Sequence, residues 1–122
     1  MSVRNVVERY WRDEETRNVA AILAHYHPHG SLTVPNMGRL EGHEEIRRFY
    51  DASVAQFPHL HLEVLDGFER GNQGAFEWQA TFSDSSGRLF VLRGVNMVVV
   101  EHERLWSVQV YDDHGTWTGT AL

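Results

Sequence analysis

The chain has 122 residues, no cysteine, 42% hydrophobic and 23% charged residues, and a formal net charge of -6. Without cysteine there are no disulfides, thiolate nucleophiles or zinc–thiolate sites, and because all 11 basic residues are arginine, Schiff-base and pyridoxal phosphate chemistry on a lysine is excluded as well. An acidic balance argues against nucleic acid, whose binding needs a basic face. No apolar run approaches the roughly 20 residues of a membrane span and no signal-peptide core opens the chain, so one cytoplasmic domain over residues 1–122 is expected.

The first element is a helix, because Val3, Val6, Val7, Tyr10 and Trp11 fall at i, i+3, i+4, i+7 and i+8 on one face. The polar stretch Arg12 to Asn18 interrupts it. A second short helix runs from Val19 to Tyr26 and is ended by Pro28. Ser31 to Val34 reads as a short strand stopped by Pro35, with a turn over Asn36 to Gly38. A third helix starts after Gly42 and carries Ile46, Phe49, Tyr50, Val54 and Phe57 on one face; Glu44 and Glu45 in its first turn suit the positive end of the helix dipole.

After Pro58 the period changes from near 3.6 to 2. Leu60, Leu62 and Val64 alternate with His59, His61 and Glu63, and Phe76, Trp78, Ala80 and Phe82 alternate with Glu77, Gln79 and Thr81. Phe90 to Val100 is a long, mostly apolar strand, and Leu105 to Tyr111 is the last. Helices followed by consecutive hairpins predict an α+β fold, a curved mixed or antiparallel sheet with three helices forming a cone around an apolar pocket.

Tyr10 in the first helix, Leu23 to Tyr26, the run Gly42-His-Glu-Glu-Ile-Arg-Arg-Phe-Tyr50, Gly94-Val-Asn96-Met-Val and the final Arg104-Leu-Trp-Ser-Val-Gln-Val-Tyr111 carry a likeness that runs nearly end to end. Together they resemble the ketosteroid isomerase and SnoaL-like cyclase group, whose members share the nuclear transport factor 2 fold. That resemblance implies an oxyanion-binding Tyr at Tyr10, backed by Tyr26 and Tyr50, and a second donor at Asn96, where isomerases carry a protonated Asp. It also exposes a departure: the isomerase base is an Asp before a Pro, and this sequence has Val34 before Pro35.

Strand parity supplies a replacement. With Asn96 facing the pocket, Phe90, Leu92, Gly94 and Val98 share its face, and the resemblance places Val108, Val110 and Asp112 inward on the last strand. Asp112 then becomes a carboxylate beneath an apolar wall, where desolvation raises its pKa, and SnoaL-like cyclases resemble this arrangement. The expected roles are Asp112 as base and Tyr10 with Asn96 as the oxyanion clamp. Tyr26, Tyr50, Phe76, Trp78, Phe82, Phe90, Val34, Val108 and Val110 line the substrate site in this reading. His61 joins it as an acid/base if the strand parity is reversed. The same parity turns Arg93, Gln109 and Tyr111 outward.

His25, His27 and His29 span a helix end, and His59 with His61 share parity with Glu63 opposite the apolar set, so no metal site is expected. The Asp-Arg-Asp relay of epoxide hydrolases on this fold is missing, since Glu77 is the only charged residue between Phe76 and Phe82. The expected activity is cofactor-independent acid/base chemistry on a small apolar carbonyl compound through an enolate, as an isomerase or cyclase of lyase type. A non-catalytic ligand-binding or dimerisation module is the first alternative, and a His-dependent dehydratase the second. Trp106 and Trp117 are candidates for exposed association residues, and the resemblance implies a homodimer formed through the outer sheet face, where Arg93, Gln109 and Tyr111 lie.

Overall fold

The structure, a computed structural model, describes residues 2–113. Helix α1 spans Val3–Thr16, α2 Val19–Ala24 and α3 Gly42–Gln56; strands β1 (Tyr26–Val34) and β2 (Gly38–Glu41) lie between α2 and α3, and β3 (His59–Arg70), β4 (Gln73–Ser83), β5 (Leu89–Glu101) and β6 (Arg104–Asp112) follow. The expected α+β class and curved sheet are what the chain forms. The sheet is mixed, in the order β2-β1-β6-β5-β4-β3, with β1 parallel to β6 and every other pair antiparallel.

Helix α1 buries Val3, Val6, Val7, Tyr10 and Trp11, the stripe its sequence spacing predicts. It does not end at Arg12, because neither glycine nor proline falls between Arg12 and Thr16, and Arg12, Glu14 and Glu15 are good helix formers. The helix closes at Arg17, which takes a left-handed φ of 58° and returns its N–H to Glu14 O at 3.1 Å. The Arg17 side chain then reaches α3, donating to Phe57 O at 3.2 Å and Ser53 Oγ at 2.9 Å. One residue therefore ends α1 and ties it to the C-terminal end of α3. Asn18 caps α2 by accepting from Ala21 N at 3.1 Å.

The second helix is shorter than expected, and Tyr26 belongs to β1. Leu105 N donates to His25 O at 2.7 Å, and Tyr26 lies opposite Leu105 in the parallel pairing. Pro28 does not stop this strand, because the register shifts between Tyr26 and Ser31 and the ladder skips the proline. Strand β2, of which the sequence reading assigns only Gly38, to a turn, pairs Ser31 with Glu41 and Val34 with Gly38.

Register shifts also interrupt β3 between Val64 and Asp66 and the β5–β6 pairing between Val99 and Val100, where Trp106 of β6 is the extra residue. Such bulges bend strands and raise their twist, which gives a long sheet a concave face. Helices α1 and α3 lie across that face, and the core between them holds Ile22, Leu23, Leu32, Ile46, Tyr50, Phe76, Leu105 and Val108. Among the described residues, no helix is long and apolar enough to cross a membrane.

Candidate active site

A cavity of about 610 Å³ opens between the concave face, α1, α3 and the β1–β2 hairpin, a size typical of small-molecule sites. Its walls are mostly apolar: Leu32 and Val34 from β1, Leu40 from β2, Phe49 from α3, Leu62 from β3, Trp78, Ala80 and Phe82 from β4, Leu92 from β5 and Val110 from β6. A few polar groups are set into these walls, and three strands and two helices place them.

Asn96 is 4% exposed in the middle of β5, and its Oδ1 accepts from Trp78 Nε1 at 2.9 Å. An indole N–H only donates, so it fixes which end of the amide it meets and leaves the Asn96 NH2 as the end that can donate to a ligand. Across the ladder Asn96 lies opposite Val110, while Gly94 lies between Trp78 on β4 and Asp112 on β6. The inward parity of β6 brings Asp112 to the cavity, with its Oδ1 shielded from solvent. Gly94 is required for this geometry: a Cβ there would collide with the Trp78 indole and with Tyr111 O. The glycine leaves room over the strand for the indole that reaches Asn96.

Three buried tyrosines form a second polar cluster. Tyr10 Oη lies 3.1 Å from Tyr26 Oη and makes a short hydrogen bond with Tyr50 Oη, and Tyr26 and Tyr50 are 3.2 Å apart. Tyr50 donates onward to Glu14 Oε2 at 2.9 Å. Tyr10, Tyr50 and Glu14 line the cavity, and Tyr26 stands behind them. Burial pushes the Glu14 carboxyl above the ordinary glutamate range, opposed by the Tyr10 and Tyr50 hydroxyls and by the Arg17 charge. Burial also raises Tyr10 and Tyr50, with the Glu14 charge adding to the rise, and raises Tyr26 in the same direction.

Of the residues expected from sequence at the site, Tyr10, Asn96, Asp112, Tyr50, Trp78, Phe82, Val34 and Val110 line this one cavity. Five do not. Tyr26 supports the other tyrosines from behind. Phe76 packs beneath α1, edge-on to Trp11 with the Arg4 guanidinium 5.2 Å above its ring. Phe90 turns to Phe57 and Arg88, and Val108 is fully enclosed in the core. His61 is on the outer side of β3, its ring nitrogens 3.4 Å from Glu15 and 3.8 Å from Glu63. The strand parity is thus not reversed, and among the described residues no histidine lines the cavity.

Sequence reasoning missed Glu14. The signal was present, because Glu14 stands four residues after Tyr10 and continues the buried stripe, but an expected break at Arg12 hid it. It also missed the β1–β2 hairpin, whose Pro35, Met37 and Leu40 form one side of the cavity. Among the described residues no group of three or more His, Asp or Glu is placed to hold a metal.

Residues 7–108 match the family model described as SnoaL-like domain, and the chain belongs to that family. No curated protein sequence matches it. An NTF2-like protein of unknown function from Burkholderia pseudomallei K96243 superposes with a TM-score of 0.84 at 19% identity, covering 98% of each chain. IdmH from Streptomyces antibioticus, a proposed polyketide cyclase, gives 0.85 at 14% identity over 99% of each chain. TerC, crystallised with polyporic acid, gives 0.83 at 14% identity over 97% of this chain and 96% of its own. At these identities the likeness establishes the NTF2-like fold.

Proposed function

We propose that this protein is a cofactor-independent acid/base catalyst that enolises a small, largely apolar carbonyl compound, in an isomerisation or a SnoaL-like cyclisation. One observation carries the reading: Asp112, Asn96 and Tyr10 all line the same apolar cavity. Asp112 takes the proton from the carbon next to the carbonyl, the C–H electron pair forms the carbon–carbon double bond of the enolate, and the carbonyl π pair moves to the oxygen. Asn96 and Tyr10 donate hydrogen bonds to the resulting enolate oxygen. In an isomerisation the proton returns from Asp112 to a different carbon of a conjugated enolate; in a cyclisation the enolate carbon attacks a second carbonyl carbon of the same molecule, and the oxygen that receives its π pair takes the proton from Asp112.

Val34 lines the cavity where the isomerase resemblance calls for an Asp, so the base comes from β6 in this proposal. The role proposed for IdmH and the small ligand held by TerC support the substrate class. A binding module of the same shape needs no base, and that is where the two readings part. Soaking crystals with phenol as an enolate mimic tests the geometry. Its oxygen should lie about 2.6–3.2 Å from Tyr10 Oη and Asn96 Nδ2, with Asp112 facing the ring. A phenol bound elsewhere, or with its oxygen turned from both donors, contradicts the assignment.

We further propose a homodimer through the outer sheet face. Met97 and Tyr111, on the side of β5 and β6 opposite Asn96 and Asp112, are 52% and 51% exposed, and Trp106 is 41% exposed. Arg93 and Gln109 are exposed as well. Trp117 lies outside the described residues.

A further inference from the structure

Glu14 is given no part in the chemistry above, yet it lines the cavity at the end of the tyrosine cluster. Counting protons gives it one. The three hydroxyls and Glu14 make four hydrogen bonds, Tyr10 with Tyr26, Tyr10 with Tyr50, Tyr26 with Tyr50, and Tyr50 with Glu14, and the Tyr10 hydroxyl also favours the ionised form of Glu14. Each hydroxyl supplies a single proton, and an ionised carboxylate only accepts. With Glu14 ionised, three protons serve four contacts, and turning the Tyr10 proton to a ligand leaves two. With Glu14 protonated, the acid donates to Tyr50, Tyr26 and Tyr50 donate within the cluster, and the Tyr10 proton is released to the cavity. Charge acts in the same sense, since an ionised Glu14 repels an electron-rich ligand oxygen nearby.

We propose that Glu14 is a positioning residue whose protonation turns the Tyr10 hydroxyl into the cavity, so that a neutral carbonyl compound binds together with one proton. The proposal rests on Tyr10 meeting the ligand oxygen, as in the reading above, and requires no turnover. The groups that face Glu14 are Tyr10 and Arg17 at either end of its own stretch of α1, Tyr26 from β1 and Tyr50 from α3. The other charged residues lining the cavity are Glu45, Arg48 and Asp112. Glu45 is engaged with Glu41 N at 2.9 Å and Arg48 with Glu44 at 2.9 Å. The raised Glu14 carboxyl places the switch above the ordinary glutamate range, so the donating form is present on the acidic side and is lost as pH rises.

The test uses carbonyl-labelled benzophenone, which has no titratable group and no hydrogen next to its carbonyl, and so binds without reacting. Infrared difference spectra of the bound carbonyl and its affinity are followed from about pH 5 to about pH 9. In the wild type the carbonyl stretch should lie at lower frequency on the acidic side, with affinity about 3- to 10-fold tighter there, the worth of one neutral hydrogen bond. Glu14→Gln should abolish both changes, whereas Asp112→Asn should keep them. Arg17→Met, which leaves Glu14 in place but removes the charge favouring its ionised form, should move the midpoint to higher pH. A carbonyl band that ignores pH in the wild type overturns the proposal, as does a titration that survives Glu14→Gln or vanishes with Asp112→Asn. Enolisation plays no part in this readout, so its failure in a separate assay leaves the result on Glu14 standing.

Discussion

Asn96 shows how one neighbour converts a polar residue in an apolar strand into a directed donor. Without Trp78 the amide is free to present either end, so Trp78→Phe should weaken phenol binding by about one hydrogen bond, roughly 3- to 10-fold, while the cavity remains. Titration of phenol into the variant checks this. Glu14 makes a prediction about stability. Its carboxyl is raised in the folded chain, so between the ordinary glutamate pKa and the raised value the folded state holds more protons than the unfolded one. Stability therefore falls as pH rises through that window, by at most about 1.4 kcal/mol per pH unit for a single proton. Chemical denaturation across pH should show that downward slope in the wild type and lose it in Glu14→Gln.

At the scale of elements, the strands were legible because alternation survives burial on one face: Trp78, Ala80 and Phe82 read inward from sequence, and all three line the cavity. The helix ends were harder. Val19 to Tyr26 carries a helical apolar pattern, but the parallel pairing of Tyr26 with Leu105 takes the last residue into β1, a tertiary contact that no local pattern records. The α1 extension to Thr16, and Glu14 with it, was hidden for a different reason, a polar stretch read as a break although neither glycine nor proline interrupts it. Phe76, Phe90 and Val108 share the inward parity yet miss the cavity, since parity gives a face and not a depth behind α1 or α3. Gly94 is the point where three strands depend on one missing methyl. Gly94→Ala should cost about 1–3 kcal/mol by overpacking against Trp78, seen as a lower denaturation midpoint and a changed tryptophan emission.

At the scale of the molecule, a curved sheet closed by helices separates a mostly apolar inner face from an outer face that carries exposed Met97 and Tyr111. If that outer face joins two copies, Tyr111→Glu should convert the dimer to monomer without touching the cavity, as read by sedimentation; a wild type that sediments as a monomer contradicts the homodimer. The inner face holds the central claim, that Asp112 is a base opposed by the Asn96 and Tyr10 donors. Proton–deuterium exchange next to the carbonyl of 2-tetralone, followed by NMR in deuterium oxide, tests it without knowledge of the natural substrate. The account predicts that the wild type catalyses the exchange and that Asp112→Asn slows it by about 10²–10⁴, the usual contribution of a positioned base, while phenol still binds. Exchange no faster than in buffer, or equally fast in Asp112→Asn, would contradict it.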